Sequence, residues 1–226
     1  MTALPGPLDV PVGDFDADVD RLSTPIEHPA EELVEPAMAG DIRALLALTD
    51  AVERHRSGEI RIVAPEEDYV GDHKEYVLRP FAHPAESRFS DGTFGVLYAG
   101  ESVRTAIDES VYWLTRFYLD SPFPAGTIAP KIHLVFRTVA SLADVRMTRG
   151  GISSIYDPDD YTISRMWGVQ LRSAHGGLWY DSVRRKGDEC IGLFIPRFVS
   201  NVRVAGRFEF EWNGSKFTSV KEVFDL

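Results

Sequence analysis

Apolar positions recur along this chain with two periods, and each period predicts its own kind of element. Between 102 and 118, Val103, Ala106, Ile107, Ser110, Val111, Leu114 and Phe117 fall on one face at helical spacing, and Ser102 is placed to cap that helix. A second helix is predicted over 161–175, where Ile163, Met166, Trp167, Leu171 and Ala174 repeat the pattern. Asp159 or Asp160 opens it, and Gly176-Gly177 closes it. A further helix is predicted near 40–56 from Ile42, Leu45, Leu46 and Val52, with Gly58 as its stop. Lys131–Thr138 alternates instead and reads as a half-buried strand. Phe94–Tyr98, bounded by Gly92 and Gly100, is a second strand, and Cys190–Ile195 reads as a buried one. Ile60–Val63 and Tyr76–Leu78 are shorter β candidates. Arg207–Trp212 and Ser215–Val220 flank Asn213-Gly214, whose turn chemistry predicts a hairpin. Strand–helix–strand alternation is scarce, so the fold class is α+β, with mostly antiparallel sheets and flanking helices.

Residues 1–38 are rich in Pro, Asp and Glu without a sustained period, and read as an acidic, irregular N-terminal arm. Residues 39–70 hold the helix and short strand that lead in, and 71–226 form the main body. The 226 residues suit one compact domain with extensions. Charge follows the same division. Of the formal −11, residues 1–50 carry −9, from eleven acids and two bases, while 51–226 hold 24 acids and 22 bases. A net negative chain repels the phosphate backbone, so no direct nucleic-acid partner is expected. As a hypothesis, the arm packs against the body or against a partner's basic surface. A single cysteine, Cys190, excludes an internal disulfide framework and fits a reducing cytoplasm. No apolar run approaches the ~20 residues of a membrane span, and the opening Met1-Thr-Ala-Leu-Pro-Gly-Pro is not a secretory signal.

Several chemistries lack their residues. The six histidines are scattered without metal-ligand spacing, and no metal is expected. There is no Walker-type loop, no GxGxxG after a strand and no GxSxG elbow. Arg184-Arg185-Lys186, answered by Asp188 and Glu189, reads as a solvated turn.

Two stretches carry more polar detail than plain structure requires. In Ser87–Ser102 followed by Thr105–Ser110, a loop arginine leads into a strand ending at Tyr98 and then a helix presenting Glu109, which lies beside Trp113 and Arg116 on the helical wheel. In Gly176–Arg184, a glycine-marked turn enters a short strand that carries Ser182. The residues Leu78-Arg79-Pro80, Arg88-Phe89-Ser90, Gly95-Val-Leu-Tyr98-Ala, Thr105-Ala-Ile-Asp-Glu109, Asp160-Tyr161, Tyr180-Asp-Ser182-Val-Arg184 and Leu193-Phe-Ile-Pro196 occur in this order. Together they resemble the RES-domain family, toxins of Xre–RES toxin–antitoxin pairs, over Arg79 to about Asn201. The position before the serine, often proline in that family, holds Asp181 here.

The resemblance implies an ADP-ribosyltransferase-like fold and a cytoplasmic enzyme that degrades NAD as its substrate, as glycohydrolase or phosphorylase, and so stops growth. It makes Glu109, Arg88, Tyr98 and Ser182 the catalytic candidates, with Arg79, Arg88, Tyr98 and Ser182 as NAD-binding candidates. It also implies an Xre-like antitoxin partner and a homodimer within the complex. Chemically, a carboxylate such as Glu109 suits an oxocarbenium-like ribose. Arg79 and Arg88 suit a pyrophosphate clamp. Tyr98 offers a flat face, and Ser182 a donor to the substrate or to Glu109. ADP-ribose transfer to a protein target and a non-catalytic NAD-binding module stand as the alternatives.

Overall fold

The computed structural model describes residues 10–26, 69–121, 123–147 and 153–224. Its sheet is organised by one long strand, which receives partners along both edges. The elements in chain order are β1 (Val12–Ser23), α1 (Lys74–Ala82), β2 (Leu97–Gly100), α2 (Val103–Leu119), β3 (Ile128–Asp144), α3 (Thr162–Ala174), β4 (Gly177–Asp181), β5 (Glu189–Leu193), β6 (Val199–Trp212) and β7 (Phe217–Val223). Strand β3 pairs antiparallel with β1 along 132–143 and with β6 along 128–138, and parallel with β4 at Ala143 and Asp144. The sheet runs β1-β2-β5-β4-β3-β6-β7, and β1 returns to pair with β3, closing a circuit of five strands. All pairings but β3–β4 are antiparallel, as the α+β reading expects.

Three expectations change. Residues 12–23, read as part of an irregular arm, form β1. The run Asp14-Phe-Asp-Ala-Asp-Val-Asp20 alternates strictly, which buries Phe15 and Val19 in the core and turns the carboxylates to the other face. There the body answers them: Arg137 reaches Asp16 at 2.6 Å, Arg203 reaches Asp18 at 3.3 Å, and His133 meets Asp20 at 2.5 Å. Tyr76–Leu78, read as β, lies inside α1, where Tyr76, Val77 and Phe81 recur at helical spacing and are buried. The strand expected at 94–98 pairs only from Leu97, although Phe94 and Val96 are buried ahead of it. The helix near 40–56 and the strand at 60–63 fall outside the described residues.

The remaining elements follow their sequence signals. Ser102 Oγ accepts the Thr105 amide at 3.2 Å and caps α2. Ala106 is buried, with Val103, Ile107, Val111 and Leu114 packed beside it, while Phe117 is 58% exposed rather than on the covered face. In α3, Trp167 and Leu171 are fully buried, and Met166, expected on the same stripe, is 47% exposed. Asp160 opens that helix by accepting the Thr162 amide at 2.8 Å. Gly168 lies so close to the Phe89 carbonyl that no side chain fits, which fixes α3 against the loop before β2. At the β6–β7 turn, Gly214 adopts φ 96° and Asn213 Oδ1 accepts the Ser215 and Lys216 amides.

Candidate active site

The β4–β5 loop is clamped onto the first two turns of α2. The Asp188 carboxylate accepts from Thr105 Oγ1 at 2.6 Å and from Arg185 Nε at 2.9 Å, and Arg185 also reaches Asp108 at 3.0 Å. At 184–186 the expected turn forms, with Lys186 exposed and Asp188 answering Arg185, but Arg184 and Arg185 are half-buried because α2 supplies a ring and a carboxylate within reach of their forks. This clamp sets Ser182 against Glu109. Ser182 is buried, its amide donates to the Asp188 carbonyl, and its hydroxyl donates to Glu109 Oε1 at 2.7 Å. The backbone amides of Arg184 and Arg185 donate to the same hydroxyl oxygen at 3.3 and 3.0 Å. With its lone pairs so occupied, the Ser182 proton has Glu109 as its acceptor.

The floor beneath this pair comes from the sheet. Tyr98 stands opposite Gly192, and both Tyr180 and Gly100 stand opposite Cys190. Cross-strand partners share a face, so Tyr98, Tyr180 and Cys190 line one side of β2-β5-β4. Burial first, then the Glu109 charge, push the Cys190 thiol up, so it is a neutral group in contact with Ser182 and Tyr180 and not a nucleophile. Burial likewise raises the Tyr180 phenol well above its ordinary value, with Cys190 and Glu109 adding to the effect.

Arg88 and Tyr98 are joined through the turn between them. Tyr98 Oη accepts the Phe89 amide at 3.0 Å and shares a 2.9 Å hydrogen bond with Ser87 Oγ. Burial pushes its phenol up to about 12, so it stays protonated at neutral pH. Arg88, 6% exposed, donates through Nη1 to the carbonyls of Ile155 and Asp157 and stacks over the Tyr161 ring at 4.3 Å. Its Nη2 is buried and has no partner among the described residues. A cavity of about 360 Å³, lined by Ser153, Ser154, Tyr156, Asp157, Asp160 and Ile163, opens at this anchor.

Glu109 and Ser182 thus touch directly, while Arg88 and Tyr98 are joined through the Phe89 turn, with Tyr98 on the same sheet face as Tyr180. Arg79 makes none of these contacts. It is exposed on α1, and its charge acts on Arg21 and Lys131. Asp181 accepts the Met147 amide at 2.8 Å, tying the end of β4 to the segment that follows β3.

Sequence reasoning did not single out the aromatic wall beside Glu109. One turn along α2, Trp113 is 39% exposed and meets Tyr161 at 5.6 Å and Tyr112 at 5.5 Å between ring centroids. Arg184 stacks over Tyr112 at 3.3 Å and donates to Tyr161 Oη at 2.9 Å. The helical wheel already put Trp113 beside Glu109, and Asp160-Tyr161 stands in the ordered motif set, but Tyr161 reaches this wall from the cap of α3, which no local period announces.

Among the described residues, no group of three His, Cys, Asp or Glu could hold a metal ion, and no helix is long and apolar enough to cross a membrane. A family model described as RES domain matches residues 61–213. Among solved structures, a chain of the M. tuberculosis MbcT–MbcA toxin–antitoxin complex is similar over 94% of this chain and 86% of that one, at 8% identity and a TM-score of 0.44. No curated protein matches the chain.

Proposed function

The chain belongs to the RES domain family, and from that premise we propose that it cleaves the nicotinamide–ribose bond of NAD and acts as a toxin held in check by a cognate Xre-like antitoxin in the cytoplasm. The observation that carries this reading is the Ser182 proton held on Glu109 at 2.7 Å. In the reaction, the C1′–N bond breaks and its electron pair stays on the ring nitrogen, so nicotinamide departs neutral and needs no general acid. Positive charge develops on the ribose, and the Glu109 carboxylate stabilises it. Ser182 fixes which carboxylate oxygen faces the sugar. Arg88 binds substrate oxygen through Nη2, while Trp113 and Tyr161 offer flat faces to a base or to nicotinamide. Tyr98, protonated and engaged by Ser87 and Phe89, holds the Arg88 turn in place and is not a base. The oxocarbenium carbon is then captured by water, giving ADP-ribose and a proton, or by phosphate, giving the 1-phosphate ester.

Chromatography of nicotinamide and the ribose product from purified protein tests the proposal. Replacing Glu109 by Gln removes the charge and is expected to slow cleavage at least ~100-fold. Undiminished cleavage in Glu109→Gln overturns the assignment. Label from adenine-tagged NAD on protein would establish transfer instead, and NAD binding without turnover would establish a binding module.

A further inference from the structure

The hydroxyl oxygen of Ser182 is held by two consecutive amides, and both belong to arginines. Arg184 N donates to it at 3.3 Å and Arg185 N at 3.0 Å. Their side chains leave the loop for anchors one helical turn apart on α2. Arg185 takes the Asp108 carboxylate at 3.0 Å, and the Arg184 guanidinium stacks on the Tyr112 ring, 3.3 Å from its centroid. Positions 108 and 112 are neighbours on a helix surface, as are 109 and 112. The two guanidiniums therefore fix the β4–β5 loop to the stretch of α2 that carries Glu109.

The two anchors are not equivalent. Asp188 answers Arg185 and also accepts from Thr105, so it ties the loop to the start of α2 on its own. Arg184 instead reaches beyond α2. Its Nη2 donates to Tyr161 Oη at 2.9 Å and to the Pro158 carbonyl. The Tyr112 hydroxyl reaches that same carbonyl at 3.2 Å and Asp159 Oδ1 at 3.1 Å. One side chain thus joins the β4–β5 loop, α2 and the segment that opens α3. Tyr161 is buried, and Arg88 lies over its ring at 4.3 Å while donating to the carbonyls of Ile155 and Asp157. From Arg88 to Glu109 every step is then a direct contact, by way of the Tyr161 ring and hydroxyl, Arg184 and Ser182. Stacking and donating at once needs a planar fork, which an ammonium does not have.

We infer that Arg184 is a positioning residue, which holds Ser182 on Glu109 from the side of α3 and ties that pair to the Arg88 anchor. The brace itself belongs to the fold, and its effect on turnover rests on the NAD cleavage proposed above. Because Arg184 acts through Ser182, its removal costs turnover and leaves substrate affinity alone.

Two readouts test this on the full chain. Hydrogen exchange over 182–188, read by mass spectrometry, is expected to be roughly tenfold faster in Arg184→Met and Arg184→Lys than in the wild type, with exchange in β3 unchanged. In NAD cleavage, kcat falls roughly tenfold in both variants while KM stays constant. Added to Ser182→Ala, Arg184→Met lowers kcat no further, since the residue it acts through is already gone. Tyr161→Phe keeps the ring under Arg88 and loses only the hydroxyl. It moves exchange and kcat in the same direction, and it carries the test if the Arg184 variants fail to fold. Lys186→Met, which removes an exposed charge from the same loop, changes neither readout. Unchanged exchange over 182–188 in Arg184→Met and Tyr161→Phe overturns the brace. A raised KM at constant kcat makes Arg184 a substrate contact and overturns the positioning role, as does an additive loss in the double variant. Absence of NAD cleavage by the wild type counts against the proposed activity, and exchange alone then decides the brace.

Discussion

Raising the pH from 7 to 9 is expected to stabilise this protein, and Lys131, buried in β3, is the reason. Its ammonium titrates near 8 in the folded chain and near 10.5 when unfolded. Below pH 8 both states carry the proton, and the folded state bears the full penalty of a charge held in the sheet, to which Arg21 and Arg79 add. Between 8 and 10.5 the folded state has released its proton while the unfolded state keeps it, so stability rises with pH through that window. At about 1.4 kcal/mol per pH unit, the full penalty is ~3 kcal/mol, and about 1.3 kcal/mol of it is relieved by pH 9. For a chain of this length, that relief raises the melting temperature by ~3–5 °C. Lys131→Met deletes the titrating group, so its melting temperature should lie above that of the wild type at pH 7 and lack this part of the pH slope. Calorimetric melts of both proteins at pH 7, 8 and 9 make the comparison. Identical slopes in the two proteins would refute the reasoning, because every other group is common to both.

Other consequences are as direct. Ser182→Ala removes a hydrogen bond to a carboxylate worth ~1.5–3 kcal/mol, so kcat for NAD cleavage should fall roughly 10–100-fold, and an unchanged kcat refutes a positioning role. Trp113→Ala strips the exposed ring one turn from Glu109, and KM for NAD should rise several-fold with kcat nearly constant; an unchanged KM removes Trp113 from the binding surface. Gly168→Ala drives a methyl group into the Phe89 carbonyl and should cost ~1–3 kcal/mol, read as a melting temperature lower by ~3–10 °C. An unaltered melt would show that α3 can shift away from the loop.

Much of the fold was legible wherever local signals agreed with the packing. α2 has a cap, a stripe and a strand before it, and the β6–β7 turn has the residues its backbone requires. β1 was not legible as a strand, because four aspartates and nearby prolines dominate its composition and hide the alternation of Phe15, Ala17 and Val19. α1 misled for a related reason: Tyr76-Val-Leu78 favours strands in isolation, and only its contacts with the core select the helix. At the site, Glu109 and Ser182 stood out through motif order, and the loop clamp from Asp188 and Arg185 brings them together. Tyr180 and Cys190 were not read as site residues because a buried phenol and thiol look like core until the carboxylate beside them is known.

The register of β1 makes the protein separable in a way its chain order does not suggest. Twelve residues that precede the family-matched span fill one edge of β3. A chain that lacks them is an acceptor with an open groove, and a peptide covering 10–24 is its donor strand, carrying Phe15 and Val19 into the core and Arg21 to the Tyr98 carbonyl. Two inert halves that regain a sheet on mixing would form a split reporter, with the dissociation constant of the peptide measuring the worth of a single strand.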